Sequence, residues 1–335
     1  MQMVSTVLFF ILGILALYVG AEALVRGSVK ISHMLGISPI IMGLTVVAFG
    51  TSAPEFAVSL VAALQRSRDI AIGNIIGSNI ANIGLIIGLS ALLRPLAVRK
   101  SVLFKEVPIL LGATLLVFFF FKNLLLSRLE GFVLLALMAM FLLYMIRTAR
   151  KEHREQERVP GEEEIRPYMD QYDVSFLVGL YNRIRYSRSY VVHGGVVVLG
   201  IVLLTIGSNW LIGAARAMAR MIGISDVVIG MSVVAVGTSL PELATSLVSA
   251  IKKQADISLG NIIGSNIFNT FFVLGTIGAI NPIAIQQKIA FDLVPLMILF
   301  TVLFIVFMFT ERRIVRWEAG VLFAGYIIFL NYIYL

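Results

Sequence analysis

Apolar runs about 20 residues long, the length of a membrane span, recur along this chain with short polar breaks between them. They predict helices over 4–25, 38–64, 70–93, 103–121, 129–147, 191–215, 225–251, 257–280, 289–310 and 316–334. One stretch departs from the pattern. Lys151-Glu152-His153-Arg154-Glu155 and Glu162-Glu163-Glu164 are too charged for hydrocarbon. Residues 148–190 therefore read as a linker between a first half, 1–147, and a second, 191–335. The expected fold class is an all-α polytopic membrane protein with ten transmembrane helices. The first run ends at Ala21-Glu22-Ala23, which resembles a signal-peptide cleavage site, but no Lys or Arg precedes it as a signal n-region requires. It reads as the first span.

Polar residues inside the spans form two near-copies of one motif. Gly50-Thr51-Ser52-Ala53-Pro54-Glu55 is followed by Gly73-Asn74-Ile75-Ile76-Gly77-Ser78-Asn79-Ile80-Ala81-Asn82. Gly237-Thr238-Ser239-Leu240-Pro241-Glu242 is followed by Gly260-Asn261-Ile262-Ile263-Gly264-Ser265-Asn266-Ile267-Phe268-Asn269. Between Gly43–Asn82 and Gly230–Asn269, 25 of 40 ungapped positions are identical, too many for shared apolar composition. The repeat reaches back to the first span, where Gly13 matches Gly200 and Gly36-Ile37-Ser38 matches Gly223-Ile224-Ser225. The copies lie five spans apart. Five is odd, so they enter the membrane from opposite sides, as two inverted five-helix repeats around a midplane site.

Composition agrees with a membrane class: 59% hydrophobic, 14% charged, mean hydropathy +0.95. The absence of cysteine removes disulfides and thiolate metal sites. A net charge of +8 reads as basic loops rather than a nucleic-acid surface. Twenty Lys and Arg fall on the linker side of the ten-span arrangement and seven on the other; without the linker the split is eleven to seven. The expected orientation in the cell membrane has the linker cytoplasmic and both termini outside.

Pro54 and Pro241 each lack an amide donor and crowd the carbonyl four residues earlier, at Gly50 and Gly237. The helices should bend there and free carbonyls around Val47–Gly50 and Val234–Gly237, with Thr51 or Ser52 capping the following half-helix. Thr51, Glu55 and Ser59 then share a face, as do Thr238, Glu242 and Ser246. Asn74, Ser78 and Asn82 stack on the next helix, matched by Asn261, Ser265 and Asn269, while Asp69 and Asp256 stand at N-cap positions. Carboxylate, hydroxyl, amide and carbonyl oxygens without His or Cys describe a hard-cation site. Two carboxylates neutralise one Ca²⁺, which takes about 6–8 oxygens. Ser59, Ser246, Asn74 and Asn261 suit helix–helix hydrogen bonds as well as ligation. Asn79 and Asn266 lie off the stripe and read as structural, and several glycines as close-packing positions. Glu22 reads as an interfacial charge rather than a ligand, with a gating role as the alternative; His33, His153 and His193 sit at or beyond span ends and form no metal cluster. The spans contain no nucleophile–base pair, which argues against an intramembrane enzyme.

The pairs GTSAPE/GTSLPE and GNIIGSNIAN/GNIIGSNIFN resemble the two α-repeats of sodium/calcium exchangers in the Ca²⁺/cation antiporter superfamily. The resemblance covers about 5–147 and 191–334. It implies electrogenic exchange of several Na⁺ for one Ca²⁺ by alternating access, with helices 1 and 6 sliding across the other eight. No cofactor or obligate protein partner is implied; the partners are Ca²⁺, Na⁺ and the bilayer. By resemblance, Glu55, Glu242, Thr51 and Thr238 hold Ca²⁺. Ser52, Ser78, Asn82, Ser239, Ser265 and the carbonyls of Ala48 and Ala235 hold Na⁺. Position 269 departs from those members, some K⁺-dependent, that carry Asp there; Asn269 favours K⁺-independent exchange. The competing reading is a H⁺/Ca²⁺ antiporter, for which the many neutral oxygens around the acids are unnecessary.

Overall fold

A computed structural model describes residues 2–65, 67–157, 189–221 and 237–334. The described chain is almost wholly helical. In the first half lie α1 (Gln2–Leu35), α2 (Pro39–Thr51), α3 (Ala53–Leu64), α4 (Arg68–Leu93), α5 (Lys100–Phe121) and α6 (Arg128–Glu157). In the second lie α7 (Tyr190–Met221), α8 (Leu240–Ile251), α9 (Ala255–Ile280), α10 (Ile289–Thr310) and α11 (Arg316–Tyr334). Among the described residues, seven helices are long and apolar enough to cross a membrane, and an eighth if α2 and α3 form one span. The first part of the seventh expected span, 225–236, lies outside the described residues.

Several boundaries differ from the sequence reading. α1 runs ten residues past position 25, because Val25–Leu35 contains no Pro or Gly pair to stop it. It ends at Gly36, whose φ of 62° favours glycine. α6 continues to Glu157, into the segment read as linker, because its charges suit a helix emerging into water. Among the described residues, four two-residue strands also appear, too short to show in a hydropathy pattern. β1 (Leu96–Ala97) pairs antiparallel with β4 (Arg313–Ile314), and β2 (Leu125–Leu126) with β3 (Ile283–Ala284). Each pair ties a loop of one half to a loop of the other.

The proline bend is present. α2 and α3 meet at 45°, with Pro54 in the first turn of α3. Among the described residues, four π-helical turns interrupt the ladder, at Gly43–Val47, Asn82–Ile87, Asn269–Leu274 and Ile289–Leu293. Two of them begin at the paired residues Asn82 and Asn269. Such turns cluster at functional sites.

α1 and α7 cross antiparallel through a seam of glycines spaced seven apart. A Cβ at Gly20 would stand 2.8 Å from the Leu204 amide and 2.9 Å from the Gly200 carbonyl; at Gly13, 2.9 Å from the Leu211 amide and 3.0 Å from the Gly207 carbonyl. Only glycine lets the backbones approach so closely. The core beneath is built from α4 and α9, whose buried faces carry Ile75, Ile76, Ile80, Ile83, Ile262, Ile263 and Ile267.

Candidate ion-binding site

The bend brings α2 and α3 against α9, and α8 against α4, so residues of both halves converge. Glu55 and Glu242 stand in the first turns of α3 and α8 and are fully buried. Each is held by a serine of the other half. The Ser52 hydroxyl donates to Glu242 Oε1 at 2.8 Å, and Ser239 to Glu55 Oε1 at 3.0 Å. The threonines cross over as well: Thr51 donates to Asn261 Oδ1 at 3.0 Å and Thr238 to Asn74 Oδ1 at 3.4 Å. Asn74 Nδ2 in turn donates to Ser59 Oγ at 3.0 Å, and Asn261 Nδ2 to Ser246 Oγ at 3.2 Å. Asn74, Asn261, Ser59 and Ser246 thus bind helix to helix.

Three expectations fail here. Ser52 occupies the N-cap position of α3 but makes no capping bond. Its hydroxyl goes to Glu242, and a contact of 2.9 Å joins it to Ser265 Oγ. A buried carboxylate is the stronger acceptor. Asp69 and Asp256 lie inside the first turn, with Ser67 and Gln254 at the caps. Their carboxylates bind other loops: Gln286 Nε2 donates to Asp69 at 2.7 Å, and Arg99 pairs with Asp256 at 2.6 Å. The Ala48 carbonyl, expected free, accepts the Ser52 amide at 3.0 Å and faces the Thr51 hydroxyl at 3.4 Å. Ala235 lies outside the described residues.

The amides on α4 and α9 are aimed by their neighbours. Asn82 Nδ2 donates to Asn266 Oδ1 at 2.9 Å, and Asn269 Nδ2 to Asn79 Oδ1 at 3.3 Å. Asn79 and Asn266 therefore hold the amide groups that leave Asn82 Oδ1 and Asn269 Oδ1 without a protein partner. Five buried oxygens of the motif residues share that condition: Glu55 Oε2, Glu242 Oε2, Ser78 Oγ, Asn82 Oδ1 and Asn269 Oδ1. Buried oxygens stay unpaired at a cost unless a ligand meets them. Two anionic and three neutral hard oxygens suit Na⁺ or Ca²⁺. Among the described residues no group of three His, Asp or Glu is placed to hold a metal.

One carboxyl escaped the sequence reading. Glu106 on α5 is 5% exposed, and its Oε2 has no partner. The repeat gives no signal for it, since its counterpart is Leu293.

A family model for the sodium/calcium exchanger protein matches residues 5–147 and 192–335. The sodium/calcium exchanger MaX1 of Methanosarcina acetivorans is 35% identical over 96% of this chain and 97% of its own. The inner membrane protein YrbG of Escherichia coli is 33% identical over 97% and 95%. The fold is similar to that of the sodium-calcium exchanger NCX_Mj soaked with zero Na⁺ and Ca²⁺, with a TM-score of 0.79 at 30% identity over 98% of each chain.

Proposed function

The chain belongs to the sodium/calcium exchanger family, and from that premise we propose that it carries Na⁺ one way across the cell membrane and Ca²⁺ the other, by alternating access around Glu55 and Glu242. The observation that carries this reading is the set of five buried, unpartnered oxygens contributed by both halves. Relatives named as sodium/calcium exchangers support the choice of ions. The proposed ligands are Glu55, Glu242, Thr51, Thr238, Ser52, Ser239, Ser78, Ser265, Asn82, Asn269 and the carbonyls of Ala48 and Ala235. The proposed architecture is ten spans in two inverted halves, with the 148–190 linker cytoplasmic and both termini outside. The antiparallel crossing of α1 and α7 supports the inversion.

Charge sets the expected coupling. One Ca²⁺ balances the two carboxylates. More than two Na⁺ on the same site leave it net positive, so the cycle moves charge. With Asn269 in place of a third acid, no K⁺ is needed to balance the pocket. The test is Ca²⁺ uptake into proteoliposomes loaded with Na⁺, at fixed pH, with and without K⁺ and with the membrane potential clamped. The expected result is uptake that follows the Na⁺ gradient, responds to potential and ignores K⁺. Uptake driven by a pH gradient and indifferent to Na⁺ would establish proton exchange instead.

A further inference from the structure

Outside the central motif residues, five more buried hydroxyls among the described residues have no hydrogen-bond partner: Ser28, Ser90, Thr245, Ser249 and Ser258. All lie toward the linker face. Ser28 is on the last turns of α1, Ser90 near the end of α4, Ser258 in the first turn of α9, and Thr245 and Ser249 on α8 between Glu242 and its end at Ile251. α8 is their common neighbour, since α1, α9 and the last turns of α4 all pack against it. Glu242, Thr245 and Ser249 follow at helical spacings of three and four, on one face. The track from Glu242 to Ser249 is about 10 Å long at 1.5 Å per residue.

The repeat-related positions on the opposite side lack it. The repeat counterparts of Thr245, Ser249, Ser258, Ser90 and Ser28 are Val58, Ala62, Ala71, Ile277 and Ala215. Close packing alone does not require the hydroxyls, because the equivalent helices pack with apolar residues. Nor are they satisfied within their own helices. Thr45, Thr114, Thr205 and Thr301 each donate to the carbonyl four residues earlier, whereas these five do not. The face of α8 that carries them ends at Lys252, whose Nζ lies 2.9 Å from Glu22 Oε1 on α1, with Arg26 on the same carboxylate.

We propose that the linker-facing side of the molecule holds the ion route from the central site to that face, lined by Thr245, Ser249 and Ser258 of the second half and Ser90 and Ser28 of the first, with the Glu22–Lys252 bridge closing its mouth. Neutral hydroxyls replace part of a cation's water shell without holding it as carboxylates do, as a conduction path requires. At the five corresponding positions the approach from the opposite face carries apolar residues, so the two routes are not copies of each other. This rests on the exchange reading above.

Because the chain has no cysteine, Ser249→Cys supplies a single, nearly isosteric thiol, and Ala62→Cys its repeat counterpart. Both are reacted in proteoliposomes with a small impermeant cationic methanethiosulfonate, added to either side under opposed ion gradients. The expected result is modification of Ser249→Cys from the linker side only, about tenfold faster than Ala62→Cys from the other, since a packed thiol is inert. Glu22→Gln should speed it further. No modification of Ser249→Cys in any gradient, or equal modification of both thiols, would overturn the proposal. A second variant, Thr245→Val/Ser249→Ala/Ser90→Ala, should slow exchange severalfold at unchanged equilibrium Ca²⁺ affinity; a wild-type rate would also overturn it. Thiol access reports water whatever ion is carried, so failure of the exchange reading shows separately in the wild-type flux.

Discussion

Ser52 leaves its own helix uncapped to donate to the acid of the opposite half. Ser239 returns the bond, and the second oxygen of each acid is left for an ion. Replacing one acid with an amide leaves Ca²⁺ half-neutralised. An unpaired desolvated charge costs several kcal/mol, and about 4 kcal/mol is a thousandfold in affinity. Glu55→Gln and Glu242→Gln should therefore each abolish Na⁺-dependent Ca²⁺ uptake, while size-exclusion profiles stay those of the folded protein. Retention of near-normal uptake by either variant would remove that acid from the site. Asn269→Asp is expected to act oppositely, by adding. A third carboxylate near two others is disfavoured by like charge, so it must take up a proton or a further cation. Uptake by this variant should become sensitive to pH or K⁺, measured beside the wild type; identical profiles would sink this reading of position 269. The acids, hydroxyls and amides were legible because two copies of one motif mark them. The cross-bonding was not, because residues 52 and 242 are distant in sequence and only packing brings them together. Glu106 was invisible for the converse reason: its repeat counterpart, Leu293, is apolar.

At the scale of helices, hydropathy located the long apolar helices among the described residues but misplaced several of their ends. The stop for α1 is the left-handed turn at Gly36 rather than the end of the strongly apolar run, and α6 runs on because hydropathy cannot tell an exposed helix from a loop. Glu152, near the end of α6, accepts the Ser38 amide at 2.8 Å and so binds the start of α2. The glycine seam gives a sharp test of packing. A Cβ at Gly200 would lie 2.7 Å from the Leu24 amide nitrogen and 2.8 Å from the Gly20 carbonyl. Both are backbone atoms, so neither can swing aside. Gly200→Ala should cost about 1–3 kcal/mol, the range for overpacking, read as a lower melting temperature in detergent. At Gly194 a Cβ meets nothing within 4 Å, so Gly194→Ala should leave melting unchanged. Equal melting of both variants with the wild type would show that the seam yields.

For the molecule as a whole, the linker should divide two units that recognise each other. Residues 1–157 and 189–335, co-expressed as separate chains, are expected to copurify and to restore Na⁺-dependent Ca²⁺ uptake. Failure to copurify would mean that the covalent link, not the interface, holds the halves together. Orientation has its own measurement. A single cysteine at Glu163 should react with an impermeant thiol reagent only from the cytoplasmic side, and labelling from outside would invert the arrangement. The seam between α1 and α7 also bears on how such a chain can arise. Gly13 stands against Gly207, and Gly20 against Gly200. Since Gly13 corresponds to Gly200 and Gly20 to Gly207, exchanging the halves maps this set of contacts onto itself. That is the isologous joint of a homodimer, written into one polypeptide. A gene encoding only five helices, inserted into the membrane in both directions, would already have met its upside-down twin along this surface, before any duplication joined the two.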